Sequence, residues 1–107
     1  MEIKQYQIFL ANLDPTQGSE IKKTRPCLIV SPDEMNRNLQ TVVICPLTTN
    51  LNQYPTRVVI KTNEKKGMII VDQIRTIDKS RIIKPFGTLL NIEIKNIKKV
   101  IKETFVD

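Results

Sequence analysis

Histidine is absent from all 107 residues. That removes the side chain whose ordinary pKa lies nearest neutrality, and with it Ser-His-Asp, Cys-His and histidine-pair nuclease mechanisms. Glycine is scarce as well: three residues are too few for a generous phosphate cradle, and no Walker lysine loop, dinucleotide GxGxxG or HExxH pattern is present. Acidic side chains are scattered along the chain, which disfavours a carboxylate metal cage, and no cofactor is expected. The two cysteines, Cys27 and Cys45, each sit inside an apolar run rather than in a CxxC pair, the setting of buried reduced thiols that act as small hydrophobes. Long apolar runs are missing: Met68-Ile69-Ile70-Val71 is far shorter than the ~20 residues that cross a bilayer, so no membrane role is expected. The start, Met1-Glu2-Ile3-Lys4-Gln5, lacks the basic opening and apolar stretch of a secretory signal, and a cytoplasmic location is the expectation.

What is present describes a soluble globular chain. Hydrophobic residues make up 40% and charged residues 26%, and the length suits one domain spanning 1–107. The charge balance is less ordinary. Seventeen Lys+Arg against eleven Asp+Glu leave a formal net charge of +6, which suits a polyanionic partner, either nucleic acid or an acidic protein.

Punctuation by Pro, Gly, Asn and Asp divides the chain into short strands. Ile8, Leu10 and Leu13 predict an opening strand, closed by Asp14-Pro15 and followed by a polar, basic loop through Gln17-Gly18-Ser19 to Thr24. Arg25-Pro26 opens the second strand, where the missing amide of a proline is tolerated at a first position. Ser31-Pro32-Asp33-Glu34 reads as a capping box with Ser31 as N-cap and predicts a short helix. Further strands are expected at Thr41 to Cys45, Arg57 to Ile60, Met68 to Ile74 and, briefly, Arg81 to Lys84. The tail differs: Ile94, Ile97, Ile101 and Phe105 recur at helical spacing among lysines, predicting an amphipathic helix capped by Asn91, with Glu93 at its positive end. The whole is read as mainly β with helices, a small, partly open antiparallel β-barrel closed by a C-terminal helix.

Without histidine, cations and hydroxyls carry the chemistry. If the strand after Arg25-Pro26 pairs with the run that breaks at Pro46-Leu47, Arg25 and the hydroxyls of Thr48-Thr49 meet at one edge of the sheet. A guanidinium fork fits two phosphate oxygens, and a hydroxyl can donate to a nonbridging oxygen, so the constellation points to a phosphodiester. Taken alone, Arg25 also suits a surface cation, and the threonines suit turn amides.

Those residues stand in a longer ordered series: Asp14-Pro15-Thr16-Gln17-Gly18-Ser19-Glu20, Arg25-Pro26 leading to Val30-Ser31-Pro32, Cys45-Pro46-Leu47-Thr48-Thr49, Tyr54-Pro55, Asp72-Gln73-Ile74-Arg75 and Gly87. The series resembles the MazF/PemK toxin endoribonucleases of type II toxin-antitoxin systems over nearly the whole chain. The resemblance implies an SH3-like barrel of the CcdB/MazF/PemK kind and a homodimer. It also implies metal-independent cleavage of single-stranded RNA by an mRNA interferase: the 2′-hydroxyl attacks, leaving 2′,3′-cyclic phosphate and 5′-hydroxyl ends. The family's catalytic arginine falls on Arg25 and its catalytic threonine on Thr48. Glu20 is open between a general base and an ion-pair partner of Lys22 and Lys23. Ser19, Lys22, Lys23, Thr49, Asn50, Gln53, Gln73 and Arg81 are candidates for binding RNA, while Asp72 suits a structural tie. A cognate antitoxin, MazE-like, acidic and partly disordered, is the implied protein partner. The chain departs from the family pattern at Ile21 and Lys22-Lys23-Thr24, where relatives carry glutamine and, before the arginine, histidine or a similar residue; the loop's base preference is open. Two other readings share the barrel: a CcdB-like gyrase poison acting through its C-terminal residues, and a noncatalytic RNA-binding barrel.

Overall fold

The computed structural model describes residues 1–13 and 24–107. Its longest strand, β3 (Thr41–Thr48), is the one on which the others are arranged. β2 (Thr24–Ile29) lies antiparallel along one edge, and β1 (Gln7–Asn12) and then β7 (Ile82–Thr88) extend the sheet outward from it. The other edge of β3 is divided between two strands. β6 (Arg75–Asp78) covers Thr41 to Ile44, β5 (Lys65–Ile70) covers Leu47 and Thr48, and β4 (Arg57–Thr62) pairs outside β5. Two helices, α1 (Asp33–Asn38) and α2 (Asn91–Phe105), complete a mostly β, open and curled antiparallel half-barrel.

A proline inside this central strand is accommodated by that division. Val43 turns its backbone toward β2, accepting from the Val30 N–H at 2.9 Å. Strand alternation then turns Pro46 to the opposite edge, between the last β6 pair, Ile44↔Arg75, and the first β5 pair, Leu47↔Ile69. No ladder bond is lost where no strand stands, so the missing amide costs little.

Continuous apolar runs arise because the sheet is buried on both faces. Ile8, Leu28, Cys45 and Leu47 join Val58, Ile60, Ile69 and Ile97 of α2 in one core. The alternate positions Phe9, Ala11, Cys27, Ile29, Val42 and Ile44 join Ile77 and Ile82 in a second. Cys27 and Cys45 therefore lie on opposite faces of neighbouring strands, and both are buried free thiols as expected.

Several boundaries differ from expectation. The strand expected from Met68 to Ile74 ends at Ile70, because Val71–Gln73 form a 3-10 turn, and beyond it Arg75–Asp78 make the unforeseen β6. The strand expected from Arg81 to Lys84 begins at Ile82 and runs to Thr88, straight through Pro85 and Gly87. As an edge strand with register shifts against β1, β7 tolerates the proline. The β4–β5 hairpin turns on two residues, Asn63 (φ 51°) and Glu64 (φ 63°), both left-handed as such a turn requires. Its tip reaches β7: the Asn63 amide donates to the Phe86 carbonyl at 3.2 Å, and a Cβ on Gly87 would come within 2.3 Å of Thr62 Oγ1. Gly87 thus allows the two ends of the sheet to approach.

Both expected helix caps are replaced. The Ser31 hydroxyl accepts the Val43 N–H at 3.0 Å and donates to Asn36 Oδ1 at 2.5 Å, so it ties α1 to the sheet, and α1 starts at Asp33 without a side-chain cap. At α2 the cap position is Leu90 rather than Asn91, and Glu93 does the capping. Its carboxylate, 7% exposed, accepts the Leu90 N–H and the Lys61 N–H, each at 2.8 Å, which secures α2 to β4. Ile97 and Ile101 turn inward as expected and Ile94 is half-buried, but Phe105 is 51% exposed, with Val100 packed against the core in its stead.

Two charge-assisted bonds from one buried carboxylate make Glu93 the principal anchor of the tail. Glu93→Ala is expected to lower stability by about 2 kcal/mol in urea unfolding, and Glu93→Gln, which retains an acceptor, to recover part of that loss.

Candidate functional site

The β2–β3 ladder runs Ile29↔Ile44, Leu28↔Cys45, Cys27↔Pro46. Two residues further along the same register, just past the last paired residues, Arg25 comes opposite Thr48 on the face that carries Cys27. Arg25 is half-buried and anchored on its other side by pairing with Ala11. Thr48 ends β3, and its Oγ1 accepts the Asn50 N–H at 3.1 Å. A hydroxyl engaged as acceptor toward its own chain retains its proton to donate outward.

The loop after Thr48 is built on local turns. Asn50 Oδ1 accepts the Asn52 N–H at 3.0 Å, and Thr49, Asn50 and Gln53 are exposed beside the strand end. Gln73 is exposed in the 3-10 turn, and its neighbour Asp72 accepts the Thr56 hydroxyl at 2.7 Å, the structural tie expected of it. Arg81 donates from Nη1 to the Leu13 carbonyl at 2.9 Å, so its guanidinium holds the end of β1 as well as edging the surface. Ser19, Glu20, Lys22 and Lys23 lie outside the described residues.

Arg75 belongs with these residues, although sequence reasoning did not select it. It pairs with Ile44 and so shares the face of Arg25, Thr48 and Cys27. The signal was a cation directly after Asp72-Gln73-Ile74, obscured by reading that stretch as strand. Burial pushes the Cys27 thiol up to about 12, while the nearby positive charges of Arg25 and Arg75 pull it the other way. Two guanidiniums therefore act on one spot. Among the described residues the ion pair present is Lys4 with Glu2, leaving Arg25 and Arg75 without a carboxylate partner there. The same residues contain no cluster of three or more potential metal-ligating side chains.

Residues 4–105 match the family model described as PemK-like, MazF-like toxin of type II toxin-antitoxin system. The chain belongs to this toxin family. A protein named Endoribonuclease MazF from Staphylococcus saprophyticus is 33% identical over 100 residues, spanning 88% of this chain and 83% of the relative. Another of that name from Staphylococcus epidermidis is 36% identical over 86 residues, spanning 75% of this chain and 72% of the relative. The solved MazE-MazF structure (Form-II) from Deinococcus radiodurans superposes with a TM-score of 0.85 at 21% identity, over 96% of this chain and 95% of that one, a likeness of fold. The MazF-like chain thus carries the family's barrel, and the arginine and threonine singled out in its sequence stand on adjacent strand ends.

Cys45, like Cys27, is pushed up to about 12 by burial. Both thiols ionise near 9.0 when solvated, so their contribution to stability is complete below pH 9.0 and is lost as pH rises toward 12. Across that window the urea midpoint of the wild type is expected to fall more steeply than that of the Cys27→Ala, Cys45→Ala double variant.

Proposed function

We propose that this MazF-like chain is a sequence-selective, metal-independent endoribonuclease, the toxin of a toxin-antitoxin pair, which halts translation and growth by cutting single-stranded mRNA. The observation that carries the reading is the convergence of Arg25 and Thr48 at adjacent strand ends, with the threonine's proton free to donate. In the reaction the ribose O2′–P bond forms and the P–O5′ bond breaks, leaving a 2′,3′-cyclic phosphate and a 5′-hydroxyl. Charge builds on the nonbridging oxygens in the transition state. Arg25 neutralises it through a planar pair of N–H donors, Thr48 donates its hydroxyl proton to it, and Arg75 on the same face supports both. The electrostatic role suits Arg25 because a guanidinium with a pKa above ~12 rarely yields a proton near neutrality. Glu20 is the candidate acceptor for the 2′-hydroxyl proton, and the departing O5′ takes up a proton from water, so the step is neutral in protons overall. Thr49, Asn50, Gln53 and Gln73, all exposed, are the candidates for lining the approach to the cut, joined by Ser19, Lys22 and Lys23, which precede Arg25 in sequence.

Two partners accompany this reading. A second copy completes a homodimer, and an acidic, partly disordered antitoxin covers the basic RNA surface, in keeping with the net charge of +6 and with the MazE-MazF assembly solved for the Deinococcus protein. A gyrase-poison reading draws on the exposed Phe105 and Val106 at the C-terminus, but has no use for the Arg25 and Thr48 convergence.

Incubation with mixed-sequence RNA in EDTA is expected to yield cuts bearing 5′-hydroxyl ends. Arg25→Ala and Thr48→Ala should each slow cutting by about 10²-fold or more. RNA left intact by the wild type would defeat the enzyme reading, whereas undiminished cutting by Arg25→Ala would defeat the assignment of the site. Growth arrest that survives both substitutions but is lost on removing residues 101–107 would favour the gyrase reading.

A further inference from the structure

The half-barrel's seam leaves a hollow of about 290 Å³ directly beside Thr48. The Asn63–Phe86 contact closes the seam at the hairpin tip, and behind that contact Pro26 of β2 and the end of β3, which pairs with β5 through Leu47 and Thr48, border the open space together with the β4–β5 hairpin and Phe86 of β7. Pro26, Leu47 and Phe86 line the hollow with apolar surface. Gly67 keeps it open: a Cβ there would stand 3.3 Å from the Thr48 carbonyl and 3.9 Å from Leu47 Cδ2. Lys65 and Lys66, both exposed, join Thr48 and Thr49 around it.

An apolar slot joined to hydroxyls and two cations matches the two halves of a nucleotide. An unstacked base gains from burying its ring faces against phenyl and aliphatic walls, and its phosphate gains from neighbouring ammonium groups. A purely apolar peptide side chain would leave the two lysines without a purpose. Leu47 and Pro26 belong to the sheet face opposite that of Cys27 and Arg25, and Thr48 and Thr49 border the hollow at the strand end where the two faces meet, so a base seated there belongs to a nucleotide passing round that end beside the bond being cut.

We propose that the hollow bounded by Pro26, Leu47, Gly67 and Phe86 is the subsite for one unpaired nucleobase adjoining the cleaved bond, with Lys65 and Lys66 on its phosphate. The assignment rests on the RNA-cutting reading and adds to it a source of sequence selectivity separate from the residues preceding Arg25.

The test compares the base preferences of wild type, Gly67→Ala, Gly67→Val and Lys65→Gln with Lys66→Gln by sequencing the ends cut from a randomised RNA pool. Filling the hollow is expected to erase or switch the preference at one position next to the cut, more for valine than for alanine. At the same time, cutting of the preferred sequence should fall about tenfold or more. The double glutamine variant, which alters only exposed side chains, should raise KM about tenfold with kcat nearly kept, and weaken the dependence of cutting on salt. Equal slowing on every sequence with unchanged preferences would mean that Thr48 had merely been displaced, and would overturn the subsite. So would filled-hollow variants that cut normally but escape inhibition by an acidic antitoxin peptide, which would assign the hollow to a protein. A wild type that cuts no RNA would remove the nuclease reading itself, a result distinct from altered or unaltered preference.

Discussion

Pairing along both edges of β3 is the constraint from which the rest of the molecule follows. One edge pairs with β2 alone, but the other is shared by β6 and β5, with a 3-10 turn between them. A sheet with such a break cannot remain flat: the outer strands β4 and β5 leave the path of β6, and the sheet curls into a half-barrel with an apolar core against each face. Pro46 fits at the break because its missing amide faces the gap, and the strand ends two residues later at Thr48.

The same break makes the site. β5 holds the end of β3 through Leu47 and Thr48, with Arg25 of β2 opposite Thr48 and Arg75 of β6 on the same face. Burial near these cations keeps the Cys27 thiol neutral despite their pull, so the local positive charge is not offset by a thiolate. In a chain with no histidine, fixed cations and a hydroxyl are the groups that can face an anion here, and strand ends hold them more precisely than a loop could.

How much of this could be read in advance depended on the range of the interactions involved. The runs around Leu28, Ile44 and Ile69 were legible as strands because burial on both faces leaves long apolar stretches, and α2 was legible from the spacing of Ile94, Ile97 and Ile101. Val71–Gln73 was not, since apolar residues that continue a strand pattern give no local sign of a turn. Ser31 and Asn91 misled for a related reason: each suits a cap, but Val43 claimed the serine hydroxyl and Glu93 reached the cap amide first. Arg25 and Thr48 stood out through the ordered motifs around them, whereas Arg75 depended on a strand that only the folded chain reveals.

The amino-acid sequence by itself determined the class of chemistry: with no histidine and a surplus of cations, it left arginine and hydroxyl groups to act on a polyanion, and its motifs named Arg25 and Thr48. Only the tertiary structure decided that these two oppose one another, that Arg75 joins their face, and that Gly67 keeps a hollow open beside Thr48. Residue types carry their donors and charges wherever they stand. Which of them share a face depends on strand register, and register is set by long-range pairing and burial.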